Sequence, residues 1–405
     1  MSNNIDNELI EQWGDDDDDD LPSNEKSVDE LINKYSDTQI RVVRTSLDLP
    51  LAILKANIGK KDYINISPSF QRRGRWDLKK RSILIESFLL NIPIPPVFLY
   101  ENTYNQYEVM DGRQRIESIY EFLDNGFPLT GLKYWKELIG SRFKDLPDTI
   151  QRGLLRRTLN AIVLLTETDN IDDVDIRMEL FNRLNTGGIQ LNAHELRNAI
   201  YPSLFNDLIK KLSREDLFTD LWKIPKKEKE EDIKPSKVLS NNLLYKTMLD
   251  CELVLRFFAI RGVIDNKYKG SLRSVMDKTM KAHCNDTENE CVIYEKMFLN
   301  VLKGLKKAYK DKSYVLLPDN KHYSRPLYDA VTVAYSYALD RGSLNNSINI
   351  PNVISQALKD NTKYAILTGK GNTTQAIKDR FNLVYKLITG KDFSWVFYLM
   401  IIKKI

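Results

Sequence analysis

The stretch Tyr107–Arg115, Tyr-Glu-Val-Met-Asp-Gly-Arg-Gln-Arg, constrains the fold more than any other part of the chain. An apolar-alternating run stops at Asp111-Gly112. Beyond it Ile116, Ile119, Tyr120 and Leu123 fall at i, i+3, i+4 and i+7. The period changes from that of a strand to that of a helix across one glycine, so a strand must hand over to a helix there. Val97–Tyr100 reads as a preceding strand and Asn102–Asn105 as a turn, which makes a hairpin leading into the helix. A turn of this kind leaves backbone N–H groups at the helix start. With Arg113 and Arg115 beside them, they form a seat for a phosphate.

The flanking segments extend the same alternation. Ile40–Arg44 and Tyr63–Ile66 read as short strands, and Pro50 opens a helix that ends at Gly59. Asp77 is a good N-cap for a helix over Leu78–Leu90, closed by Asn91 and Pro93. Pro147–Leu155 and Asp172–Leu184 read as helices and Leu159–Leu165 as a strand. Asn192 and Glu195 have the spacing of a capping box for Ala193–Ile200. Beyond residue 203 the signals are helical: Leu243–Ile260, Glu288–Tyr309, Leu327–Asp340 and Thr373–Ile388, with the charged segment Lys223–Lys237 as an exposed loop. The expected fold is α+β: a small mixed-sheet domain over 39–200, then a mainly helical domain over 201–405. Residues 1–38, with six consecutive aspartates at Asp15–Asp20, are expected to be a disordered acidic tail.

At 405 residues the chain is long enough for two cores, and 42% of it is hydrophobic. No run approaches the roughly 18 apolar residues of a membrane span. The acidic N-terminus has no signal-peptide pattern, so a cytoplasmic protein without membrane association is expected. Three cysteines suit a reducing compartment. His283-Cys284 with Cys291 matches no common zinc spacing and reads as a surface loop. Residues 1–40 hold 13 of the 56 acidic and two of the 60 basic side chains, which leaves a net +15 on the remainder. A basic body of this size suits nucleic acid or nucleotide as a partner.

Three stretches carry candidate chemistry. In the first, Arg113 and Arg115 supply positive charge and Gly112 lets backbone approach a ligand. Asp111 suits a divalent cation or a base, and Gln114 suits the orientation of a water. The same five residues admit a plainer reading, in which Asp111 caps the helix and the arginines pair with Glu117 and neighbouring acids. The second stretch is the basic loop Phe70-Gln71-Arg72-Arg73-Gly74-Arg75-Trp76. The third is the bend from Phe181 to Arg197, with Asn182, Arg183, Asn185, Gly187, Gly188, Asn192 and Glu195. Gly369–Thr374 lacks the residue order of a phosphate loop. His194, beside Glu195, reads as a hydrogen-bonded structural residue.

Taken together, Phe70-Gln71-Arg72 with Trp76-Asp77, Ile92–Pro96, Asp111–Arg115 and Phe181–Gly188 resemble the N-terminal domain of GmrSD-type modification-dependent restriction endonucleases. That family belongs to the ParB/sulfiredoxin-like superfamily. The resemblance covers about residues 60–200. It implies a small ParB-like domain that binds a nucleoside triphosphate with a divalent cation, expected to be magnesium, and NTPase activity tied to DNA restriction in anti-phage defence. On this resemblance Gln71, Arg72, Gly112, Arg113, Arg115 and Asn185 would hold the nucleotide. Asp111, Gln114 and Arg115 would be catalytic, with Asp111 also the metal ligand. The family's Asp-Gly-Gln-Gln-Arg is matched here with Arg113 at a position usually held by glutamine. The three histidines, His194, His283 and His322, do not form an HNH nuclease arrangement. DNA is the expected partner, with a separate nuclease or defence protein or a second copy of the chain as further partners. Two alternatives are a non-enzymatic, nucleotide-gated DNA-binding or regulatory subunit and a metal-dependent nuclease acting through the ParB-like domain.

Overall fold

A computed structural model describes residues 42–57, 63–65, 76–166, 180, 193–229, 231, 235–310, 313–315, 317, 322–369 and 371–394. The chain divides into two compact units at Asn192/Ala193. The helix Ala193–Ile200, placed by sequence at the end of the first domain, therefore belongs to the helical unit. Its Arg197 side chain accounts for this, because it is buried and bound to the helix Leu272–Ala282 of that unit. The stretch over 1–38 lies outside the described residues.

The first unit is built on a mixed sheet. Its elements are β1 (Val42–Pro50), α1 (Leu51–Asn57), β2 (Ile64–Asn65), α2 (Leu78–Leu89), β3 (Val97–Thr103), β4 (Gln106–Asp111), α3 (Arg113–Leu123), α4 (Asp148–Leu155) and β5 (Thr158–Thr166). The strand order is β1-β5-β3-β4-β2. β1 pairs antiparallel with β5, β5 parallel with β3, β3 antiparallel with β4, and β4 parallel with β2. Leu49, Val97, Leu99, Val109, Leu159, Ala161 and Val163 line one sheet face, in alternation along their strands. They pack against Leu51 and Leu54 of α1, Ile85 and Phe88 of α2, and Ile116, Ile119, Phe122 and Leu123 of α3. The four α3 residues are completely buried. Burial of that kind stabilises by about 2 kcal/mol per side chain, so the amphipathic stripe fixes α3 on the sheet.

β1 is longer than the expected Ile40–Arg44. Nine residues pair with β5 from Val42↔Thr166 to Pro50↔Thr158, and the Leu51 N–H donates to the Arg157 carbonyl at 2.8 Å. Cross-strand partners, absent from any local reading, extend the strand up to the proline.

The second unit is helical and is centred on Leu249–Ile264, nearly all of it buried. Sequence periodicity places a continuous helix over Leu243–Ile260. The structure instead has a short helix Leu243–Lys246, a break at Met248 with φ +56°, and the central helix beyond it. The Thr247 hydroxyl donates to the Leu243 carbonyl at 2.6 Å, a local bond that competes with helix continuation. Among the described residues no helix is long and apolar enough to cross a membrane.

Candidate functional site

β4 delivers Asp111 to the helix through an irregularity that the sequence did not announce. Val109 lies opposite Leu99, but Asp111, not Met110, lies opposite Phe98. Met110 is therefore a β-bulge residue one position before Asp111. Such an insertion bends the strand and re-aims the side chain that follows it.

Gly112 is the N-cap of α3, with φ +90° and no side-chain cap bond. A Cβ there would lie 2.4 Å from Val97 Cγ1 and 3.0 Å from Arg115 Nη2. Glycine is needed both for the backbone angle and because the turn presses on β3. The close approach that the sequence suggested for a ligand is, within this unit, an approach to Val97.

Arg115 ties the turn to the start of β3. Its Nη1 donates to the Pro95 carbonyl and, at 3.2 Å, to the Pro96 carbonyl, and its Nη2 donates to Asp111 Oδ2 at 2.7 Å. Three of its five N–H bonds are thereby used, and Nε–H has no acceptor among the described residues. Pro95 and Pro96 were legible only as a lead-in to a strand. Two successive prolines offer carbonyls without N–H donors, and that imbalance was the available sign that a cation would read them.

Arg113 follows the plainer sequence reading, since its Nε donates to Glu117 Oε1 at 2.6 Å, one turn along α3. Asp111 does not follow it. It caps nothing and instead pairs with Arg115, leaving Oδ1 without a described hydrogen bond. Gln114 lies in the first turn of α3, partly buried, and its backbone carbonyl accepts from Ser118 Oγ at 2.6 Å. The structure thus brings Asp111, Gly112, Arg113, Gln114 and Arg115 into one turn beside Pro95-Pro96-Val97. Gln71, Arg72 and Asn185 lie outside the described residues, as do Phe70 and the stretch Phe181–Gly188.

Other sequence candidates resolve into structural roles. Arg197 is fully buried. It donates to Asp277 Oδ1 at 2.6 Å and to the Arg273 carbonyl at 3.2 Å, with Glu252 at 3.5 Å. It is an internal tie of the helical unit. His194 is likewise buried there. His283 is not in a surface loop. It ends the helix Leu272–Ala282, meets Asp286 at 2.5 Å and stacks on Phe205 at 4.4 Å. Burial raises the thiol pKa of the partly exposed Cys284 and Cys291. Among the described residues no group of three His, Cys, Asp or Glu side chains is placed to hold a metal. Thr373 caps the last described helix through the Ala376 N–H, and Thr374 Oγ1 accepts from the Gly270 N–H at 3.2 Å, which accounts for the threonines after Gly371. The Lys223–Lys237 segment is not simply solvated, because Glu231 is buried and pairs with Arg214 at 2.8 and 3.0 Å.

Glu86 of α2 escaped the sequence reading. Its carboxylate is buried and accepts four hydrogen bonds, from the backbone N–H groups of Lys133 at 2.9 and 3.1 Å, Tyr134 at 2.7 Å and Trp135 at 2.9 Å. Burial alone would raise its pKa. The three amides, aided by the Lys133 charge, outweigh burial and hold the carboxyl below its ordinary value of 4.5. A glutamate on the inner side of an amphipathic helix was the only sign available.

A mixed α+β domain whose bulged strand enters a helix through an arginine-bearing glycine turn is the class that fold and site define. Residues 53–202 match the family model described as GmrSD restriction endonuclease, N-terminal domain, and this match indicates a restriction-related protein. Comparisons with curated proteins and with solved structures gave no match.

Proposed function

We propose that Asp111–Arg115 is a nucleoside triphosphate seat, and that the chain binds and hydrolyses a triphosphate in DNA restriction, working with DNA and a separate nuclease. The observation that carries this reading is the placing of Arg115: held at the strand-to-helix turn by two proline carbonyls, it keeps Nε–H without a described acceptor. A partly exposed pair with Asp111 can open to a phosphate, which offers more charge than one carboxylate. Arg113 adds charge if it leaves Glu117, and Gly112 supplies the turn. Gln71, Arg72 and Asn185 join from outside the described residues on the strength of the family motif. When bound, magnesium would neutralise phosphate charge. Asp111 fits it through the uncommitted Oδ1, since nucleotide-bound magnesium needs only one or two protein carboxylates. Gln114 would orient the attacking water.

The test is a titration of the full chain with a fluorescent triphosphate and magnesium. Arg115→Ala is expected to weaken binding by about ten- to a hundredfold, the worth of a charge-assisted hydrogen bond. No binding by the wild type, or equal binding by the variant, refutes the proposal.

One observation favours a second reading, a nucleotide-gated regulatory subunit that binds without turnover. Arg113 stands at the family's usual glutamine position and is committed to Glu117 at 2.6 Å. A guanidinium has no acceptor with which to orient a water. Phosphate release measured with and without DNA separates the two readings.

A further inference from the structure

We infer that the start of α2 and the segment 130–136 together form the contact of this chain with the phosphate backbone of duplex DNA. The inference rests on the DNA-directed part of the function proposed above and adds where the DNA lies.

The surface is assembled by α2. Ser82 Oγ accepts from the Thr130 N–H at 3.0 Å, and Glu86 accepts from Lys133, Tyr134 and Trp135. The Lys79 stem lies on Gly131, where a Cβ would approach Lys79 Cγ to 2.9 Å and where φ is +62°. The inner side of α2 therefore fixes a backbone segment whose outer side is cationic. Lys79, Lys80, Lys133 and Lys136 are all exposed. None of the four enters an ion pair among the described residues. The acids here among the described residues are Asp77, which caps α2 by accepting from the Lys80 N–H at 2.7 Å, the exposed Glu137, and the buried Glu86, whose charge Lys133 also favours.

Two of the lysine heads lie against aromatic rings. Lys80 Nζ lies 4.5 Å from the centre of the Trp76 ring, and Lys133 Nζ lies 5.6 Å from that of Tyr134, itself 66% exposed. A lysine that is merely solvated sweeps a wide volume. Restraint by a ring, or by a stem packed on glycine, lowers the entropy lost when the ammonium meets a fixed anion. Unpaired, restrained cations on a rigid surface match a regular row of phosphates better than an apolar or a neutral partner. Duplex DNA, with one charge per about 1.7 Å of axis, is such a row.

The experiment is binding of a fluorescent duplex to the full chain, without nucleotide, across a salt series. Lys79→Ala/Lys133→Ala is expected to bind about tenfold or more weakly at about 150 mM salt, and to reduce the slope of log affinity against log salt by roughly two. Lys303→Ala/Lys307→Ala, two exposed lysines of the helical unit, is the control for loss of charge alone and is expected to keep the wild-type slope. Three results overturn the inference: an unchanged slope in Lys79→Ala/Lys133→Ala, an equal loss in the control pair, or displacement of the duplex as readily by polyglutamate of equal charge. If the wild type does not bind duplex at all, the DNA part of the function falls with it. The triphosphate seat is judged separately, because fluorescent-triphosphate binding is expected to be unchanged in both lysine pairs.

Discussion

Arg115 and Arg256 each meet an aspartate at nearly the same distance, 2.7 Å to Asp111 and 2.6 Å to Asp329. Their surroundings make these two different devices. Arg256 and Asp329 are 1% and 3% exposed and join two long helices of the second unit. Removing one partner strands a charge in the interior. Arg115 and Asp111 are 14% and 33% exposed and lie one helical turn apart, so water can solvate either group when the pair opens. The helical unit uses other buried arginines as ties in the same way: Arg197 to Asp277 and Arg214 to Glu231. The arginine turn of the first unit is paired but remains accessible, which is the condition for exchanging a carboxylate for a ligand.

The largest way to sharpen this contrast is Arg256→Ala, expected to destabilise by about 3–5 kcal/mol through the stranded Asp329. Denaturant unfolding measures it, and a loss below about 1 kcal/mol would erase the distinction between the two pairs. Gly112→Ala is expected to cost about 2–4 kcal/mol, because a side chain there meets Val97 at an unfavourable φ. Arg115→Ala is expected to cost only about 1–2 kcal/mol in the same measurement, although it removes the proposed phosphate contact. If its stability loss equalled that of Arg256→Ala, the turn would be a structural tie like the others.

Glu86 supplies a pH test of a third kind of carboxylate, buried yet fully bonded. Its folded pKa is depressed, so its stabilisation is complete above the ordinary value of 4.5 and is lost as pH falls through the lower folded value. The difference in Tm between wild type and Glu86→Gln is expected to be constant at neutral pH and to shrink in acid. A gap that persists unchanged at pH 3 contradicts the assignment. The smallest effect is expected from Arg113→Gln. Losing the partly exposed Glu117 pair is expected to change stability by no more than about 0.5 kcal/mol. The same variant restores the family's usual residue, so phosphate release is expected to rise. If it does not, the regulatory reading gains.

Much of the first unit was legible because its signals are local. The helix Leu78–Leu89 follows an aspartate that does cap it, and Arg113–Leu123 follows from apolar spacing that does form a buried stripe. The hairpin around Asn105 and the long helix Glu288–Tyr309 were legible for the same reason. What failed depended on partners far along the chain. β1 reached Pro50 only because β5 lay beside it, and Arg197 is tied inside the helical unit by Asp277, 80 residues away.

The sequence by itself determined that a strand must become a helix at Gly112, that arginines flank that turn, and that a mixed-sheet domain precedes a helical one. Each follows from periodicity, capping and backbone freedom within a few residues. Only the tertiary structure decided what those residues do. It placed a bulge before Asp111, set Val97 against Gly112, turned Arg115 toward Pro95 and Pro96, and gave Glu86 three backbone amides. The reason is that charged and polar side chains take their roles from the donors, acceptors and solvent around them. Those neighbours come from distant parts of the chain and are set by packing.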